Sequence, residues 1–406
     1  MDVFYVPWLH MHQPLVWVDD RIVSNLEKML KSKDTREKWD AKLMLRAYKN
    51  PAKFISILAR EGFKPKIMLD FSGVLLESLL ELEEKKVLDE ITIDGENVGS
   101  IIQAYKRVLK EFPGCVEFAG TAYSHCYFPS TPKEDWKIQV ESWREIFEKI
   151  FGMNELKKVK GFWLPEMGVP GREEDLRELI KCLKEYYEWI ILPVQSVEKY
   201  EKLPYKKIIE MVCKPHKLRA GDEEIIAIFR VPTYFIDQQA GCESDLLYEK
   251  CLEVKRIFSE KEKPALIVTA SDGENGNVMM NEFFPKTYLP FFKEKIGKGV
   301  YSLTVTEFLE KFYDGGKDVK EEVKLKDLGA SWLNGHESWM GGSRRLEAVK
   351  KIFELSRKFH QLDPELKLKV KKWFLVAETS CYVYWGIDYW FEQGKRFAHY
   401  VEEKMK

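Results

Sequence analysis

The 406-residue chain lacks several features that would settle its class at once. It has no appreciable net charge: 65 basic and 66 acidic residues leave a formal value of -1, so no electrostatic footprint for nucleic acid or an anionic membrane is present. It has no apolar stretch long enough to span a bilayer, and the start MDVFYVPWLHMHQP has neither the basic opening nor the cleavage site of a signal peptide. A cytoplasmic location is the expectation. Its seven cysteines form no CxxC pair, and an odd, scattered set does not suit a disulfide framework. No GxGxxG or GxxxxGK[ST] follows an apolar run, which removes the usual nucleotide-binding folds. Repeats, low-complexity tracts and long flexible linkers are also missing.

What the chain does have is core-forming material, with 45% hydrophobic and 13% aromatic residues. That is enough to bury one barrel-sized domain and a smaller appendage. Short apolar or β-branched runs recur as DVFYVPWL, PKIMLDF, CVEFAG, VKGFWLP, WIILPV, IAIFRVP and ALIVTAS. Charged segments of helical periodicity separate them, such as 133–151, 173–187 and 244–258. This alternation predicts α/β architecture: a parallel sheet covered by helices, closed into an incomplete, seven-stranded TIM-like barrel over residues 1–300. A doubly wound open sheet is the alternative. Over 301–406 the strand signals fade. From Pro364 the stripe Leu366, Val370, Trp373, Phe374, Ala377, Cys381 and Tyr384 keeps helical spacing up to Gly386. It predicts a C-terminal helical region that packs on the barrel and contributes to its cleft.

Polar residues capable of chemistry follow the apolar runs, where a barrel places its active site. The first run ends in His10 and His12, the second in Asp70, and the third is followed by His125. The fourth is followed by Glu166, the sixth holds Arg230, and the seventh ends in Asp272. A core-satisfied polar residue explains any one of these and explains the set poorly. Two strand-end carboxylates are what glycoside hydrolysis requires, one to attack the anomeric carbon and one to protonate the leaving oxygen. Trp163, just before Glu166, offers an aromatic face for a sugar ring. His10, His12, Asp70 and His125 are also acceptable zinc ligands, so a metal-dependent hydrolase on the same barrel is a second reading. A carbohydrate-binding protein without catalysis is a third, and it leaves the two carboxylates unexplained.

The segments HMHQP, TAYSHCYFP, WLPEMG, ASDGEN and AETSCYVYWG occur in the order and placement of the five sequence regions of glycoside hydrolase family 57, which the chain resembles over nearly its whole length. The resemblance implies a (β/α)7 barrel, a helical bundle bordering the cleft, and a retaining mechanism with no metal and no cofactor. It places the nucleophile at Glu166 and the general acid/base at Asp272. It also places His12, His125, Arg230, Asp237 and Trp385 against a carbohydrate substrate, to which the strand reading adds His10, on the same face as His12, and Trp163. An α-amylase-like hydrolase of α-1,4-linked glucans is the favoured expectation, with a 4-α-glucanotransferase next to it. The fifth region departs from the amylolytic pattern, having Cys381, Tyr382 and Tyr384 before Trp385. Asp272 is expected to hold its proton more tightly than Glu166.

Overall fold

Seven parallel strands follow one another in chain order in the computed structural model, which describes residues 1–280 and 282–406. They are β1 (Val3–Met11), β2 (Ile67–Phe71), β3 (Val116–Phe118), β4 (Gly161–Trp163), β5 (Trp189–Pro193), β6 (Glu223–Arg230) and β7 (Ala265–Asp272). Each coincides with one of the apolar runs. The order β7-β1-β2-β3 forms one sheet, and β4-β5-β6 belongs to a second. Two junctions join the sheets. At β3/β4, Gly120 N donates to Gly161 O at 2.9 Å and Trp163 N donates to Gly120 O at 2.8 Å. At β6/β7, Val231 N donates to Val268 O at 2.9 Å. The second junction is thin because the hairpin strand His216–Ala220 pairs along the first half of β6, leaving its end to approach β7. The result is the incomplete (β/α)7 barrel expected.

Alternation along β1 separates two cores. Phe4, Val6 and Trp8 point inward with Met68, Trp189, Ile191, Ile228, Leu266 and Val268. Val3, Tyr5, Leu9 and Met11 point outward to the helical layer. Glycine at 161 lets the indole of Trp189 cross β4, because a Cβ there would sit 2.2 Å from that ring. The outer layer includes α1 (Thr35–Arg60), α2 (Gly73–Glu84), α3 (Ile101–Glu111), α4 (Lys133–Phe151), α5 (Glu173–Lys184), α6 (Tyr205–Val212) and α7 (Ser244–Ile257).

The chain stays with the barrel beyond 300. Val300–Tyr301 pairs with β1, Glu322–Val323 pairs with the hairpin strand, and Val305, Phe308 and Leu309 of α8 (Val305–Tyr313) join the inner core. We place the division near residue 336 rather than at 300, because the sheets and inner core extend across that point. The helical region then comprises α9 (Gly342–Gln361), α10 (Pro364–Ala377), the short α11 (Cys381–Tyr384) and α12 (Asp388–Lys404). The long amphipathic stripe is therefore two helices. It breaks at Glu378–Ser380 because the barrel takes that backbone: Ser380 N donates to His125 O at 3.0 Å, and Thr379 bridges to Cys126. Further ties run from Tyr382 Oη to Leu15 O at 2.8 Å and from Gln139 Nε2 to Glu378 Oε2 at 2.7 Å. Among the described residues, no helix is long and apolar enough to cross a membrane.

Candidate active site

Register alone assembles the first row of the site. On β1, His10 is paired with Asp70 of β2 on one side and with Asp272 of β7 on the other. Paired residues of parallel strands point the same way, so all three continue the inward row begun by Phe4 at the carboxyl end of the barrel. His10 Nδ1 donates to Asp70 Oδ2 at 2.6 Å, and Trp8 Nε1 donates to Asp70 Oδ1 at 2.6 Å. Burial works against a charge on His10, but the charge and hydrogen bond of Asp70, with Asp272 and Glu274 behind them, raise it to about 9. A protonated, buried His10 is the consequence.

His125 lies beside both histidines of the first region. Its Nε2 is 2.8 Å from His10 Nε2, and its ring stacks on His12 with centroids 4.2 Å apart. His12 Nδ1 lies 2.6 Å from Oγ of Ser72, which also caps α2 by accepting from Leu75 N. Burial holds His12 and His125 well below the usual histidine range.

Glu166 leaves β4 through a sharp bend. Its φ of 57° is followed by 48° at Met167, and His125 has 62°, so three non-glycine residues of the site occupy the left-handed region. Such conformations persist where surrounding contacts over-determine them. Here the contacts go to the carboxylate: Trp332 Nε1 donates to Oε2 at 2.9 Å, and Ser380 Oγ donates to Oε1 at 3.3 Å. His125 Nδ1 is 4.0 Å from Oε1. Burial raises Glu166 to about 7, against the lowering effect of Trp332, and the charge of Asp272 adds to the rise. Burial thus holds up the carboxyl of the expected nucleophile. The reason is depth, since Glu166 is enclosed by Trp332 and the helical region.

The remaining expected residues divide. Arg230, at the end of β6, is half-buried where the charges of Asp272 and Asp237 act on it, with burial lowering its pKa. Asp237 spends one oxygen on its own turn, accepting from Gln239 N at 3.1 Å and Ala240 N at 2.9 Å. Trp163 lies beside His10. It is 4% exposed, stacks on His10 at 5.0 Å and 7°, and packs on Trp8. One face of its ring is thereby occupied in supporting His10. Trp385 stands at the surface, 55% exposed, against Tyr384, whose hydroxyl feels the charges of Glu166 and Asp272.

Three contributors were not singled out from sequence. Trp332 and Ser380 reach Glu166 from distant segments. Glu274, two residues past Asp272, accepts from His12 N at 3.1 Å and is pushed well above the ordinary carboxyl range by burial and then by Asp272. Its signal was present in the DGE of the fourth region.

The zinc reading does not suit these donors. The nitrogens of His10 and His125 are committed to Asp70, to each other and to Ser380. The ligand atoms of His12, His125 and Cys381 lie within 4.8 Å of one another. However, the His12 and His125 rings are stacked 4.2 Å apart and parallel to within 6°, so their in-plane lone pairs lie in two separate, parallel planes and do not meet at one point.

The profile of Glycosyl hydrolase family 57 matches residues 6–217, just over half of the chain. No curated protein matches it in sequence. Among solved structures, a GH57 branching enzyme from Thermococcus kodakaraensis superposes with TM-score 0.64 at 17% identity, over 99% of this chain and 88% of that one. The 4-alpha-glucanotransferase of Thermococcus litoralis gives 0.67 at 16%, over 100% of this chain and 59% of that one. An alpha-amylase of Thermotoga maritima gives 0.60 at 13%, over 100% and 93%. At these identities the likeness is one of fold.

Proposed function

The chain belongs to glycosyl hydrolase family 57 and is a glycoside hydrolase, and from that premise we propose that it cleaves α-1,4-linked glucans with retention, using Glu166 as nucleophile and Asp272 as general acid/base. The observation that carries this reading is the fixing of both Glu166 oxygens, by Trp332 and Ser380, in a site where the charge of Asp272 acts on it. An oriented carboxylate beside a second carboxyl is the apparatus of double displacement. The substrate class is supported by the amylase, branching enzyme and glucanotransferase that share the fold.

In the first half-reaction Glu166 attacks the anomeric carbon while the Asp272 proton passes to the glycosidic oxygen, which leaves as an alcohol. In the second, ionised Asp272 takes a proton from water as its oxygen displaces Glu166 from the same carbon, and the starting protonation returns. The productive form therefore needs a proton on Asp272 and none on Glu166. Arg230 and His10 flank Asp272 with positive charge, stabilising the carboxylate present between the two steps.

Maltooligosaccharide digestion followed by NMR tests this reading. A rise in reducing ends with the α-anomer formed first is expected. A first-formed β-anomer would exclude the mechanism, and redistribution of chain length without new reducing ends would make the protein a transferase.

A further inference from the structure

Ser380 lies between a catalytic carboxylate and a buried charge. Its Oγ is 2.8 Å from His125 Nδ1 and 3.3 Å from Glu166 Oε1. Behind His125 stand His10, at 2.8 Å, and Asp70, a further 2.6 Å contact. Asp70, His10, His125 and Ser380 are each at most 5% exposed. We propose that Ser380 is a positioning residue that joins Asp70, His10 and His125 to Glu166 as one hydrogen-bonded relay, which aims the serine hydroxyl at the Glu166 carboxylate whenever His10 is doubly protonated. The proposal rests on Glu166 being the nucleophile.

Two facing ring nitrogens share a single hydrogen, and this fixes every bond in the series. With His10 doubly protonated, His125 Nε2 accepts, so neutral His125 carries its hydrogen on Nδ1 and donates it to Ser380. The serine hydroxyl is then free to donate to the Glu166 carboxylate. With His10 singly protonated, every bond reverses: His125 donates from Nε2, Ser380 donates to His125 Nδ1, and protonated Glu166 donates to Ser380. Three hydrogens, each moving one place, convert the second state into the first. The Glu166 proton passes to Ser380, the Ser380 proton to His125 Nδ1, and the His125 Nε2 proton to His10. The products are a carboxylate and an imidazolium, and only O–H and N–H bonds have changed. Asp70 on one side and Asp272 on the other favour the imidazolium. The first state is therefore the one the protein rests in, with every hydrogen from His10 Nε2 onward directed toward the Glu166 carboxylate.

Substitution at Ser380 tests the relay through the pH profile. The titratable groups whose charges act on or near Glu166, namely Asp272, His10, His125, Tyr127, Cys381 and Tyr384, all remain in the variant, and of them His125 and Cys381 lose the serine hydroxyl as a partner. Ser380→Ala should move the acid limb of kcat/KM upward by about one pH unit and lower kcat roughly 10- to 100-fold, with KM changed less than about threefold. Ser380→Thr, which keeps the hydroxyl, should restore the limb. An unmoved limb in Ser380→Ala, or no restoration in Ser380→Thr, overturns the relay. A separate measurement on the unaltered enzyme covers a variant that does not fold: 15N NMR below pH 8 should show His10 protonated on both nitrogens and His125 on Nδ1. Protonation of His125 on Nε2 instead overturns it. Glu166→Ala distinguishes a failed relay from a failed nucleophile assignment. With azide and an activated glycoside it gives an inverted glycosyl azide if Glu166 is the nucleophile, whatever Ser380 does.

Discussion

The indole of Trp332 donates to Oε2 of Glu166 at 2.9 Å across 166 residues of sequence. It holds one oxygen of the proposed nucleophile from a loop that belongs to neither a barrel strand nor the helical region, and it opposes the effect of burial on that carboxyl.

Removing that donor should therefore weaken the ionised form. Free-enzyme kcat/KM should fall as pH drops through about 7, where Glu166 takes up its proton. In Trp332→Phe the same limb should lie roughly one pH unit higher, since a hydrogen bond to a charged group is worth about 1.5 kcal/mol or more. A pH profile with an aryl glycoside checks this, and a downward shift would contradict the donor's role.

Azide separates the two carboxyl groups. With an activated aryl glycoside, Asp272→Ala should still form the glycosyl-enzyme and be accelerated by azide, giving a product of retained configuration. Glu166→Ala should be rescued only from the vacated face, with inversion. The opposite pair of configurations would exchange the roles.

Stability should depend on pH through the same buried groups. Glu166 rises in the folded state to about 7 from an ordinary 4.5, so its ionisation penalises folding above pH 7 and has no effect below about 4.5. Glu166→Gln should match the native protein near pH 4 and exceed it near pH 8 by up to about 3 kcal/mol, at about 1.4 kcal/mol per pH unit. His10 behaves differently. Raised to about 9, it contributes stability that is fully present below about pH 6.5 and lost as pH climbs through 9. Denaturant titrations across this range measure both.

Trp8→Phe should destabilise by roughly 2 to 4 kcal/mol, from a cavity in the inner core and an Asp70 oxygen deprived of its donor. Chemical denaturation reads this loss, and a value below about 1 kcal/mol would mean that Asp70 finds another partner.

A chain ending near residue 336 should be inactive and poorly soluble. Truncation removes Ser380 from Glu166 and strips the partners of Gln139 and Asp135. A soluble, fully active fragment would show that the helical region has no part in the site.

Sequence pattern was most informative where local geometry decides the outcome. The seven barrel strands are apolar because they are covered on both faces, and the strand-end histidines and carboxylates follow from their places on those strands. Packing decided the rest. Trp163 sits at a strand end, but whether such a ring faces the cleft or the inner core depends on the parity of its strand around the barrel. The stripe from Leu366 to Tyr384 hides its break because the spacing on either side stays in phase, while His125 captures the intervening backbone. Trp332 carries no local signal, since what matters is how its loop folds over β4.

The position of β1 between β2 and β7 also bears on how the molecule is made. An emerging chain can pair β1 with Ile67–Phe71 early, but its other edge waits for Ala265–Asp272. At ribosomal rates of about 5 to 20 residues per second, that edge stays open for roughly 10 to 50 seconds. Throughout that interval, Val3 to His10 present a bare row of amides and carbonyls on an apolar strand. The nascent protein is then open to strand addition by a neighbour, so translation speed and chaperone access should influence its yield more than the stability of the finished barrel does.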